Sequence, residues 1–246
     1  MPGVGPRFDA VVPPGGYLWW YVDGLSECGQ YGLSIISFVG SVFSPYYAWS
    51  GRREPNNHVC INVALYRPGD HKWAMTERPE KELTRNATFF QVGPSDLHWD
   101  DDTQELVLNF EELSVPRPPA DFLPKKLKGR ISLKPKFVTD TVFDIDDKGD
   151  HKWWPIGPSS EITVDLTPGC GPSWKGEGYL DCNWGMDPIE EIFDYWNWAR
   201  GESDDGTTTI IYDVYLQNGL KQMLALNYAA DGALSHFDPP KKSAIG

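Results

Sequence analysis

Long apolar runs are missing from this chain: no stretch approaches the ~20 consecutive apolar residues that a membrane-spanning helix needs. The opening MPGVGPRFDAVVPPGG has no basic segment followed by an apolar core, so no secretory signal is expected. Cysteine is scarce. The four present (Cys28, Cys60, Cys170 and Cys182) show no C-x-x-C spacing, which predicts free thiols rather than disulfides or a zinc site. A Gly-rich phosphate loop, G-x-S-x-G and H-E-x-x-H are all absent, which removes the usual signatures of nucleotide binding, serine hydrolysis and zinc hydrolysis. Positive charge is in deficit, with 22 Lys and Arg against 35 Asp and Glu. The net charge of −13 disfavours nucleic acid and anionic lipid surfaces, while hydrophobic docking onto lipid stays open. A soluble, intracellular chain is the expectation.

Aromatic residues, glycine and proline are abundant: 13% Phe, Trp and Tyr, with 24 Gly and 21 Pro. That mixture favours short strands and tight turns over long helices. HVCINVALY, the turn RPGD and HKWAMTE predict a hairpin, and Asn218-Gly219 between two alternating runs predicts another. The segment DPIEEIFDYWNWARG predicts the one short helix: Asp187 can cap, Pro188 suits the first position, and Gly201 follows Arg200. Three prolines within Pro116–Pro119 mark a boundary. The fold class read here is all-β, with two antiparallel barrel or half-barrel halves, residues 1–118 and 119–246.

The pentapeptide GDHKW occurs twice, at Gly69–Trp73 and Gly149–Trp153. Histidine totals five, and the scatter of His58, His71, His98, His151 and His236 gives no metal-ligand spacing. Most aromatic clusters are accounted for as core packing. Two short offsets stand apart, because residues i and i+2 of a strand face the same side. His151 precedes Trp153 by two, and Tyr179 precedes Asp181 by two. An aromatic cavity holding an acid and an imidazole suits chemistry that passes through a cation. A desolvated Asp stays protonated and donates, and ring faces stabilise the positive charge.

Several blocks in order, PGGYLWWYVDGLS, GQYGLSIISFVGSVFSPYYAWSGRR, HVCINVALY, HKWWPI and GYLDCNWGMDPIEEIF, closely resemble the carotenoid 1,2-hydratases, or hydroxyneurosporene synthases. The resemblance runs from about Phe8 to the Tyr212–Tyr228 hairpin and implies a tandem lipocalin-like architecture. It also implies addition of water to the terminal 1,2 double bond of an acyclic carotenoid of the neurosporene or lycopene type, with no cofactor. Within HKWW and GYLD the family's functional residues match His151, Trp153, Tyr179 and Asp181. On this resemblance Asp181 is the general acid, Trp153 and Tyr179 face the tertiary cation, and His151 orients or deprotonates the water. His71, in the first GDHKW copy, is structural. Two departures stand out: family members generally continue past the point where this chain ends, and Cys182-Asn183-Trp184 is bulkier than expected after that Asp.

A carotenoid lives in the bilayer, so a peripheral position on the inner or intracytoplasmic membrane of a photosynthetic bacterium is implied. The expected lipid contact is SPYYAWSGRR, Ser44–Arg53. Two other readings remain open: a lipocalin-like carrier that binds isoprenoids without turnover, and a related cyclase or isomerase in which an internal nucleophile captures the cation.

Overall fold

A computed structural model describes residues 5–119 and 122–239; Ala120 and Asp121 of the expected boundary and residues 240–246 lie outside it. The chain opens with an antiparallel meander of β1 (Tyr17–Ser26), β2 (Gly32–Val39), β3 (Val59–Arg67) and β4 (Asp70–Met75). A second meander follows, of β5 (Leu83–Arg85), β6 (Phe89–Val92), β7 (Ser95–Asp100), β8 (Glu105–Leu113) and β9 (Lys126–Pro135). Next come the short β10 (Phe143–Asp144) and the long β11 (His151–Leu166) and β12 (Trp174–Gly185). Together they form one sheet in the order β4-β3-β2-β1-β12-β11-β9-β8-β7-β6-β5, with β10 on β11. The sheet curls into a half-barrel, because Ala74 of β4 bridges Ser114 just beyond β8.

Strict alternation explains the outer strands. In β9 (KLKGRISLKP) the apolar positions are buried and the lysines exposed, as a half-solvated strand requires. The central strands differ. In β1 and β12 the apolar run leaves few exposed positions, and both faces are covered. Leu18, Trp20, Val22, Leu180 and Cys182 enter the half-barrel core. The alternate residues, Tyr17, Trp19 and Tyr179, join a second apolar layer on the other face.

That layer is capped by a small antiparallel sheet of β13 (Phe193–Glu202), β14 (Thr208–Leu216), β15 (Lys221–Tyr228) and β16 (Leu234–His236). Both expected hairpins are present, β3–β4 and β14–β15, with Gly69 and Gly219 at positive φ in their turns. The architecture is all-β, a curled half-barrel plus a second, smaller sheet. All four cysteines are free thiols.

Two expectations need correction or refinement. The helix read over Asp187–Arg200 is a single turn, α2 (Ile189–Ile192), with no side-chain cap, and the chain runs on as β13. Aromatic residues at Trp196 and Trp198 favour a strand, and β14 supplies a ladder from Phe193 to Glu202 that a helix would forfeit. An unforeseen one-turn helix, α1 (Pro45–Trp49), follows β2: Ser44 Oγ accepts from Tyr46 N at 3.1 Å and Pro45 opens the turn. The halves 1–118 and 119–246 are not separate sheets, since β9, β11 and β12 lie beyond residue 119 yet bond to β8 and β1.

Candidate active site

β12 carries the site. Its residues Tyr179, Asp181 and Asn183 lie at alternate positions and so share the face turned to the small sheet. On one side β1 places Tyr21 opposite Asp181 and Trp19 opposite Asn183. On the other, β11 places Trp153 opposite Asn183, one diagonal step from Asp181. The indole of Trp153 therefore reaches back, and Nε1 donates to Asp181 Oδ2 at 2.8 Å. The Tyr179 hydroxyl donates to the same oxygen at 2.9 Å. The other carboxyl oxygen, Oδ1, is buried and makes no hydrogen bond within the protein.

This asymmetry sets the chemistry. Both donors favour a charge or lone pair on Oδ2, which leaves Oδ1 as the oxygen to carry the proton. Burial pushes the Asp181 carboxyl up to about 7; the Trp153 and Tyr179 hydrogen bonds pull it down, and the Asp23 carboxylate adds an upward push. Asp23 is itself matched by Arg200 of β13, whose Nε donates to Asp23 Oδ1 at 2.9 Å. The guanidinium also lies over the Tyr179 ring at 5.6 Å, so one side chain ties the small sheet to β1 and β12 beside the acid.

Asp181 opens onto a cavity of about 180 Å³ between the two sheets. Its walls are rings: Trp19 and Tyr21 from β1, Trp196 and Trp198 from β13, Tyr212 from β14. Phe43, just before α1, completes the wall and is itself 52% exposed. The cavity sets a carboxylic acid among aromatic rings, an environment suited to making and holding a cation. A larger apolar cavity of about 630 Å³ lies partly across the wall, against Leu18, Trp154, Cys182 and Trp184, and among the described residues no carboxylate or imidazole lines it.

The structure brings Asp181, Trp153 and Tyr179 together and sets His151 apart. Of the three only Asp181 lines the cavity, so Trp153 and Tyr179, expected to face the cation, instead hold the carboxyl. His151 pairs with Gly185, four residues and roughly 13 Å along β12 from Asp181, and is not among the cavity-lining residues. Its ring is fully buried: Nδ1 lies 3.0 Å from the Tyr17 hydroxyl, and Phe193 packs edge-on at 5.0 Å. Gly185 makes the meeting possible, since a Cβ there would sit 2.2 Å from His151 Nδ1 and 2.6 Å from Tyr17 Cε1. Burial lowers the imidazole's pKa, against the upward pull of Asp146 and Asp187. The two GDHKW copies are in opposite phase. His71 and Trp73 are exposed with Lys72 turned inward, whereas His151 and Trp153 are buried.

Sequence reasoning read Asn183 only as bulk after Asp181 and the rings of β1 and β13 mostly as core packing, and it passed over the Asp23–Arg200 pair. Extending the same-face rule from Asp181 by two more residues reaches Asn183, so that signal was present. No group of three or more His, Cys, Asp or Glu side chains is placed to hold a metal ion among the described residues.

The family model described as carotenoid hydratase CrtC matches residues 35–246. The acyclic carotenoid 1,2-hydratase of Rubrivivax gelatinosus is 42% identical over 247 aligned positions, 98% of this chain and 58% of that protein. Its counterpart in Thiocapsa roseopersicina is 43% identical over 246 positions, again 98% of this chain and 58% of the relative. The chain thus spans less than two thirds of the length of these relatives. Among solved structures, kievitone hydratase from Nectria haematococca shares the fold, with a TM-score of 0.55 at 10% identity over 94% of this chain and 72% of that one.

Proposed function

The chain belongs to the carotenoid hydratase family, and on that basis we propose that it adds water across the terminal 1,2 double bond of an acyclic carotenoid of the neurosporene or lycopene type. The observation that carries this reading is the buried Asp181 carboxyl. Its pKa is raised to about 7, one oxygen is held by two donors, and the other has no partner at a cavity walled by rings.

Asp181 gives the proton on Oδ1 to C2, and the π electrons of the double bond form the new C–H bond. The positive charge appears on C1, a tertiary centre, where the faces of Tyr21, Trp198 and Tyr212 lower its energy. Trp153 and Tyr179 stabilise the carboxylate left behind through the hydrogen bonds they already make. Water oxygen bonds to C1, and the proton it sheds returns to the Asp181 carboxylate, which restores the acid. No redox partner is needed for this balance, so turnover is expected without added cofactor. His151 acts as a positioning residue. As a neutral imidazole it anchors Tyr17, which stacks on the cavity-wall ring of Trp19 at 4.8 Å.

The bilayer-dwelling substrate would enter past Phe43. Beyond it α1 presents Tyr46 and Trp49, 62% and 76% exposed and packed edge-to-face at 5.6 Å. This patch is the proposed contact with membrane lipid, because amphipathic rings partition into the interfacial zone. No helix among the described residues is long and apolar enough to cross a membrane.

The test is purified protein incubated anaerobically with lycopene or neurosporene in detergent. A 1-hydroxy product is expected. Unchanged pigment whose absorption still shifts on binding would replace this reading with that of a carrier.

A further inference from the structure

Resting on the hydratase reading, we propose that Asn183 holds the attacking water and so decides whether the cation becomes an alcohol. Asn183 follows Asp181 on the same face of β12, roughly 7 Å away between Cα atoms, and both border the one cavity. That separation suits a pair acting on adjacent carbons, one delivering a proton to C2 and the other presenting oxygen to C1. Asn183 is 3% exposed, yet its Nδ2 makes no hydrogen bond within the protein. A buried amide N–H without a partner carries a desolvation cost, which a bound water removes.

The neighbours narrow the choice of water holder. The Tyr21 hydroxyl is engaged with the Asp23 carboxylate. The Trp153 indole and the Tyr179 hydroxyl are committed to Asp181 Oδ2. What remains is the Trp198 indole N–H, also buried without a partner but able only to donate, and Asn183 with Tyr212 beside it. There the amide acts to lower the Tyr212 pKa against the stronger upward effects of burial and Asp181. Only the Asn183–Tyr212 pair offers both a donor and an acceptor. Asn183 Nδ2 donates to one lone pair of the water and the Tyr212 oxygen accepts one of its hydrogens, leaving the second lone pair aimed at C1 and the second hydrogen free to pass to the Asp181 carboxylate. A neutral amide does this without competing for the Asp181 proton. A cavity of about 180 Å³ has room for a branched alkene terminus beside one water, whose share of liquid volume is about 30 Å³.

The experiment follows two products in D2O: the alcohol, and deuterium in recovered carotenoid. The cation that escapes capture loses a proton from C2 or a methyl group, so deuterium accumulates in alkene. Asn183→Leu is expected to lower alcohol formation about 10- to 100-fold while deuterium exchange persists, so the exchange-to-hydration ratio rises. Asn183→Ser, which keeps a hydroxyl for water, is expected to restore part of the hydration. Circular dichroism and pigment binding report whether each variant folds. Equal loss of exchange and hydration in folded Asn183→Leu, or wild-type hydration by it, would overturn the assignment while leaving the hydratase reading intact. Absence of alcohol from the wild-type protein would remove both.

Discussion

Asp181 is a buried acid that holds its proton up to about pH 7, and that state has consequences for stability as well as for the proposed catalysis. In the unfolded chain the carboxyl ionises near 3.9, whereas in the fold burial lifts it to about 7. Between those values the unfolded state binds fewer protons, so stability falls as pH rises, by on the order of 4 kcal/mol in total. Asp181→Asn removes the ionisation. Its melting temperature is expected to exceed that of the wild type at pH 8, with the gap closing toward pH 4. Equal melting curves at pH 8 would show that the carboxyl is not raised. At the same scale, Tyr179→Phe deletes a hydrogen bond that favours the charged form. The alkaline limb of the rate profile should then move up by about one pH unit while the maximal rate falls. A limb that stays in place would show that Tyr179 does not set the acid. The pairings His151/Trp153 and Tyr179/Asp181 were legible from spacing alone. That Trp153 reaches Asp181 while His151 does not depends on the β11–β12 register, which local sequence does not specify.

Among the elements, β13 matters most to the site and was the hardest to read. Proline, acids in the first turn and a trailing Arg-Gly satisfy local helix rules, but they hold for only one turn. The pairing partner that makes the rest a strand lies across a turn in β14, and tertiary pairing overrides a weak local preference. As a strand, β13 aims Trp196 and Trp198 into the cavity and Arg200 at Asp23. Arg200→Leu leaves a mostly buried Asp23 charge unpaired and is expected to cost about 3–5 kcal/mol in denaturant titration. A loss under 1 kcal/mol, in the range of surface pairs, would show that the clamp is not structural. α1 permits a separate prediction. Replacing Tyr46 and Trp49 with Ser should weaken binding to zwitterionic vesicles about tenfold or more with folding unchanged, because the proposed lipid contact is made by these exposed rings. Vesicle affinity that instead depends on salt and anionic lipid would assign the contact to charge.

Across the whole molecule, the all-β class was legible in alternation, turns and composition, and the family in a few long blocks. The joining of the strands was not. β1 pairs with β12, from Tyr17 opposite Gly185 to Ser26 opposite Gly176, and no local pattern encodes a contact of that sequence separation. The Pro-rich segment at Pro116–Pro119 is a surface connection between β8 and β9, which remain paired neighbours on either side of it. This long-range pairing gives β1, β11 and β12 two buried faces, one in the half-barrel core and one under the small sheet. The acid sits on the second face, out of water. The decisive measurement is the rate of 1-hydroxy carotenoid formation by wild type and Asp181→Asn, side by side across pH. The acid mechanism predicts a wild-type rate that falls as pH rises through about 7 and a variant slowed about 100- to 10,000-fold that still binds pigment. A variant that forms the alcohol at the wild-type rate would contradict it.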